Sequence, residues 1–74
     1  MIAKNFPPNP VLKSMEFDAG TLKVTFKKGQ TRVYGNVPTD IAYALYYRDT
    51  ASKAISYYSN NIKDKYTVIQ VINH

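Results

Sequence analysis

The side chains of this chain that could do chemistry are cations and phenols. Ten Lys and Arg stand against five Asp and Glu, a net charge of +5, and seven tyrosines accompany them. Lys13, Lys23, Lys27, Lys28 and Arg32 fall in one N-terminal run. A Lys or Arg that neutralises a phosphate releases a counterion, so such a row suits sequence-independent binding to a polyanion. Tyrosine supplies a complementary surface, because rings stack on unpaired bases while cations follow the backbone. The charge is unevenly divided: residues 1–34 carry six bases and two acids, residues 35–74 four bases and three acids. Positive potential therefore belongs to the first half. Each feature also has an ordinary explanation. Lysines on a solvated sheet face guard against edge-to-edge pairing, and tyrosines fill small cores with their hydroxyls at the rim.

The chain is poorly equipped for catalysis. Glu16, Asp18, Asp40, Asp49 and Asp64 are scattered, and no pair is spaced as an acid and a base. Ser14, Ser52, Ser56 and Ser59 have no internal imidazole to activate them, since the one histidine is the last residue, His74. Cysteine is absent, which removes thiolate nucleophiles and thiolate zinc sites, and no Gly-rich phosphate loop occurs. The expectation is a protein that is not an enzyme and uses no cofactor or metal. A cytoplasmic location fits this composition, and no apolar run reaches the about 18 residues of a membrane span.

Seventy-four residues make one domain close to the lower size limit for a single core, so aromatics must join that core. Pro7, Pro8 and Pro10 predict an extended arm over residues 1–10, followed by a single domain over residues 11–72. From Val11 the apolar pattern repeats every second residue, and turns fall at Gly20 and Gly29. Leu22, Val24 and Phe26 alternate with Lys23, Thr25 and Lys27, as a strand covered on one side requires. Lys23 and Lys27 then share a face, which Arg32 joins across the Gly29 turn. Pro38 opens a helix as its first residue, with Ile41 one turn before Leu45. A second helix starts near Thr50 or Ser52 with Ala51, Ile55, Tyr58 and Ile62 as its apolar stripe, and ends at Asn60 and Asn61. The β-branched tail YTVIQVI suits a returning fourth strand, with Asn73 and His74 frayed. The fold class is α+β: a small antiparallel sheet of three to four strands with two short helices packed on one face.

The segments TRVYGNVPTDI, from Thr31 to Ile41, and SYYSNNIKDKY, from Ser56 to Tyr66, resemble the KTSC domain. That family takes its name from the C terminus of some lysyl-tRNA synthetases and also occurs as short bacterial or phage proteins. Ser14, Phe26, Gly29, Tyr34, Val37 and Pro38 sit where its pattern puts them in the first half. Ser56, Tyr57, Tyr58, Ile62, Lys63, Lys65 and Tyr66 match the second. Arg32 replaces the first Tyr of a Tyr-x-Tyr pair, Gly35 stands where an aromatic is common, and Ile55 and Asp64 stand where the pattern has glycines. The resemblance implies the α+β fold, and the synthetase attachment suggests RNA as a partner. It also adds the basic ending, Lys63 and Lys65, to the cations expected to meet a polyanion.

The expected function is a non-catalytic RNA or nucleic-acid binding module, with Lys23, Lys27, Lys28 and Arg32 meeting backbone charge and Tyr34 stacking. The expectation depends on those cations looking outward together while the aliphatic side faces the helices. Helical spacing turns Tyr43, Tyr47 and Tyr57 away from the core stripes, which suits a protein interface instead. A partner protein, such as a host factor met by a phage-encoded chain, or self-association into a homo-oligomer, is the rival reading. Sequestration of a small anionic nucleotide between protomers is a third.

Overall fold

A computed structural model describes residues 1–74. Its strands are β1 (Ile2–Asn5), β2 (Leu12–Asp18), β3 (Thr21–Phe26), β4 (Gln30–Tyr34) and β5 (Val68–Asn73); its helices are α1 (Thr39–Tyr46) and α2 (Ala51–Asn61). All five strands form one sheet in the order β1-β2-β3-β4-β5, each pair antiparallel. The α+β class is as expected; the sheet has five strands instead of three or four. The extra strand lies in the expected arm, where Ile2 to Asn5 pair with Phe17 to Ser14 before the prolines turn the chain. A four-residue edge strand is too short to announce itself in the sequence.

The turns explain the meander. Ala19 (φ 49°) and Gly20 (φ 82°) form a two-residue hairpin with both residues at positive φ, the geometry that matches strand twist. Gly29 (φ 99°) closes the next turn, donating its N–H to the Phe26 carbonyl at 2.9 Å, so Lys27 and Lys28 project from a hairpin tip. Strand alternation then assigns the faces. Met15, Phe17, Leu22, Val24 and Tyr34 point to one side, which both helices cover. Ser14, Glu16, Lys23, Thr25, Thr31 and Val33 point to the other, which no helix covers.

Pro38 is the N-cap of α1, one position ahead of the expected first helical residue, and Asp40 lies in the first turn where a carboxylate favours the helix dipole. Thr50 caps α2, its hydroxyl accepting from the Lys53 N–H at 3.2 Å. The buried stripe of α2 is Ala54, Tyr58 and Ile62, spaced four apart, with Ala51 and Ile55 flanking it. Tyr58 and Ile62 lie on the stripe as expected, while Ala54 takes the buried place expected for Ala51 and Ile55. At the C terminus His74 is held: its N–H donates to the Gly29 carbonyl at 2.8 Å and its ring Nε2 meets the Thr31 hydroxyl at 2.7 Å. The expected fraying is absent because these two bonds continue the β4–β5 ladder to the last residue. No helix is long and apolar enough to cross a membrane.

Candidate polyanion-binding face

The expected row of cations divides between the two sides of the sheet. Lys23 lies on the uncovered face, opposite Glu16 and Val33 in the register. Arg32 pairs with Val24 and therefore lies on the helix side, its guanidinium 5.3 Å from the centre of the Phe26 ring. Arg32 was expected to join Lys23 and Lys27 across the Gly29 turn, but the register sets odd residues of β3 opposite odd residues of β4, so even-numbered Arg32 lands on the other side from Lys23. Its Nε donates to Gln30 Oε1 at 3.2 Å, and the neighbouring Tyr34 side chain holds its pKa above the ordinary value.

Tyr34 cannot stack on a base. It is fully buried, its hydroxyl 2.5 Å from that of Tyr58, and the two rings meet edge to face at 6.2 Å. Burial first, then the Tyr34 hydroxyl, pushes the Tyr58 phenol well above its ordinary pKa. With no buried side-chain polar atom left unpartnered, these phenols are a structural pair joining β4 to α2.

The uncovered side carries one groove, and a second adjoins it where the Pro7-Pro8 segment passes the start of β2. The larger, about 740 Å³, is bordered by Lys13, Ser14, Glu16, Lys23, Thr25 and Thr31. Thr25, Thr31 and His74 form a hydroxyl-to-imidazole chain across its floor, with contacts of 2.9 and 2.7 Å. The smaller, about 480 Å³, runs between the Pro7-Pro8 segment and Lys27. Lys13 and Asn5 border both. Lys13, set at the β2 irregularity between Leu12 and Ser14, belongs to the N-terminal run of cations but not to the four expected to meet backbone charge. Lys23 lies 3.8 Å from Glu16, a half-exposed contact of little energetic weight. Lys13 and Lys27 have no carboxylate within ion-pair distance. Lys28 borders a separate shallow hollow with Arg32 and Phe26. Lys63 and Lys65 follow α2, exposed, and border neither groove.

The tyrosines of α1 form a second feature. Tyr43, Tyr46 and Tyr47 lie with ring centres 5.0 to 6.2 Å apart, and Tyr47 is 71% exposed. Tyr57 is less free than expected: the Arg48 guanidinium covers its ring at 4.6 Å, and burial raises its pKa. Lys4 turns to the helix side and donates to the Tyr46 and Arg48 carbonyls at 2.7 and 3.2 Å, satisfying the C-terminal end of α1.

No curated protein matches the chain. A family model for the KTSC domain matches residues 10–66, from the start of the meander through the end of the second helical region. That span holds β2, β3, β4 and both helices, and the chain belongs to the KTSC domain family.

Proposed function

We propose that the protein is a non-catalytic binding module for RNA or a related nucleic-acid polyanion, contacting backbone phosphates through Lys13, Lys23 and Lys27. The observation that carries this reading is the position of Lys13 on both grooves, between Lys23 on one and Lys27 on the other. Two of the three have no carboxylate within ion-pair distance, and the third has one weak, exposed contact. Lys28 at the hairpin tip adds charge nearby. The rings at the grooves are the His74 imidazole, engaged by the Thr31 hydroxyl, and the buried Phe6, so the reading is of backbone contact without base stacking. A partner of this class accords with the cytoplasmic location expected from composition.

The test is fluorescence anisotropy with a labelled single-stranded RNA oligonucleotide. Three phosphate contacts give a log-log salt slope of about −2, so affinity falls roughly twenty-fold between about 50 and 200 mM salt. Lys13→Glu with Lys27→Glu removes binding, while Lys63→Glu with Lys65→Glu leaves most of it. Binding that ignores salt, or that survives the first pair of changes, refutes the reading.

The tyrosine group on α1 supports a second reading, a protein interface. Tyrosine is enriched at such surfaces, and the exposed Tyr47 ring rests against Tyr43 and Tyr46, none of which borders either groove. Tyr47→Ala would then weaken capture of a partner with little dependence on salt.

A further inference from the structure

The hollow on the helix side of the β3–β4 hairpin lies apart from both grooves. It encloses about 350 Å³ and is bounded by Pro10, Val11, Phe26, Lys28 and Arg32. Backbone pairing sets its shape, because the Lys27 N–H donates to the Val11 carbonyl at 2.9 Å and so ties the hairpin tip to the segment that enters β2. Two cations face this space, one from the tip and one from β4.

The Arg32 guanidinium is held before any ligand arrives. It lies 5.3 Å from the centre of the Phe26 ring, its Nε donates to Gln30 Oε1 at 3.2 Å, and the Tyr34 and Tyr58 phenols approach it from the interior. The bond to Gln30 uses one of the five N–H donors of the fork, and the Nη groups carry the other four. No carboxylate lies within ion-pair distance of Arg32 or Lys28; the ion pairs of the molecule are Lys23 with Glu16 and Lys53 with Asp49. An anion entering the hollow therefore meets a half-buried guanidinium already stripped of part of its water and already oriented, the condition in which a charge-assisted bond gains most.

We propose that this hollow is a seat for a phosphate monoester, with the Arg32 fork on two of its oxygens and Lys28 on the third. Charge and shape select that group over a carboxylate. Arg32 and Lys28 supply two positive charges from two sides, and a monoester carries nearly two negative charges at neutral pH on three acceptor oxygens. A carboxylate has one charge and two oxygens, which the Arg32 fork alone would satisfy. Pro10, Val11 and Phe26 add an apolar wall on which a nucleoside carrying the phosphate can rest. The monoester can come from the end of a nucleic-acid strand, from a mononucleotide or from free phosphate. A strand end would join this seat to the grooves, since Lys27 borders the smaller groove and the next residue, Lys28, borders the hollow. That link alone rests on the polyanion reading.

The chain has two arginines, Arg32 and Arg48, so their Nε–H signals in a proton–nitrogen correlation spectrum form a test with an internal control. Titration with inorganic phosphate at constant ionic strength is expected to move the Arg32 signal along a saturating curve with a midpoint of about 1 mM, the scale of a few charge-assisted hydrogen bonds at an open site. The Arg48 signal, whose guanidinium covers Tyr57, is expected to stay in place, and acetate is expected to move neither. Lys28→Gln, at an exposed position, is expected to weaken the midpoint about five-fold with an unchanged circular dichroism spectrum, and Arg32→Lys, which keeps the charge and loses the fork, to weaken phosphate-induced shifts of the hairpin amides at least as much. An unmoved Arg32 signal, an equal response of both arginines, an equal response to acetate, or a Lys28→Gln variant that binds phosphate as the native chain does overturns the proposal. Labelled RNA oligonucleotides with a 5′-phosphate, a 3′-phosphate or neither identify the source. A strand end predicts that one phosphorylated form binds more tightly and that Lys28→Gln removes this difference alone. Equal affinities beside an intact phosphate response assign the seat to a mononucleotide or free phosphate, and an intact phosphate response with no oligonucleotide binding refutes the groove reading while the seat stands.

Discussion

Tyr34→Phe and Tyr58→Phe, singly and together, separate a structural role for these phenols from a binding role. The two hydroxyls are 2.5 Å apart in the interior, contributed by residues 24 positions apart in sequence. Removing one leaves the other buried without its partner, at a cost of about 1–3 kcal/mol. Arg32 approaches Tyr34, so Tyr58→Phe falls toward the lower end of that range and Tyr34→Phe toward the upper end. The double variant loses both polar groups and keeps both rings, so it is expected to cost less than the sum of the single changes by about 1–3 kcal/mol. In a domain of this size each kcal/mol lowers Tm by about 4–8 °C, well within reach of urea and thermal denaturation followed by circular dichroism. Strict additivity would refute the paired-hydroxyl account. The oligonucleotide assay supplies a second check: Tyr34→Phe is expected to leave RNA affinity unchanged, and a selective loss of affinity in a folded variant would restore Tyr34 as a stacking residue.

Four further outcomes are expected. The raised Tyr58 pKa means the folded state keeps a proton that the unfolded state sheds near pH 10; stability is therefore level below about pH 10 and falls above it by up to about 1.4 kcal/mol per pH unit, a slope that Tyr58→Phe reduces in denaturation curves. Ala19 holds a left-handed conformation at φ 49°, so Ala19→Gly or Ala19→Asn is expected to raise stability by about 1 kcal/mol in the same measurement. Lys4→Met removes the charged donor from the last carbonyls of α1 and is expected to cost about 1–2 kcal/mol, with faster amide exchange at that helix end. Tyr47→Ala touches a largely exposed ring and is expected to change unfolding free energy by no more than about 0.5 kcal/mol.

The central meander and both helices could be read from the sequence because their signals are local: two-residue alternation in β3, glycines at reversals, Thr50 before α2. Of the two edge strands, β5 was announced by its β-branched tail and β1 was not. β1 is four residues beside a proline cluster, and its pairing with β2 is visible only once Met15 and Phe17 have found their partners. The site was legible in kind and misjudged in arrangement. Lys23 and Arg32 share a strand hairpin, yet register through the Lys27 to Gly29 turn sends them to opposite sides, a parity that composition cannot convey. Tyr34 looked available because its burial depends on Tyr58, a long-range partner. The family match stops short of both edges, covering residues 10–66, so the pattern that made the middle recognisable was silent about the flanks.

Strand order along the sheet follows chain order, and this has a kinetic corollary. The first four strands join through reversals between neighbours in sequence, closures of low entropic cost, whereas β5 reaches β4 only after both helices have been spanned, with Gln30 meeting Asn73. Docking of the tail is therefore a late event on the way in and an early one on the way out. Amide protons of Val68 to Asn73 should exchange with solvent by partial opening, well before those of β2 and β3 at the middle of the sheet.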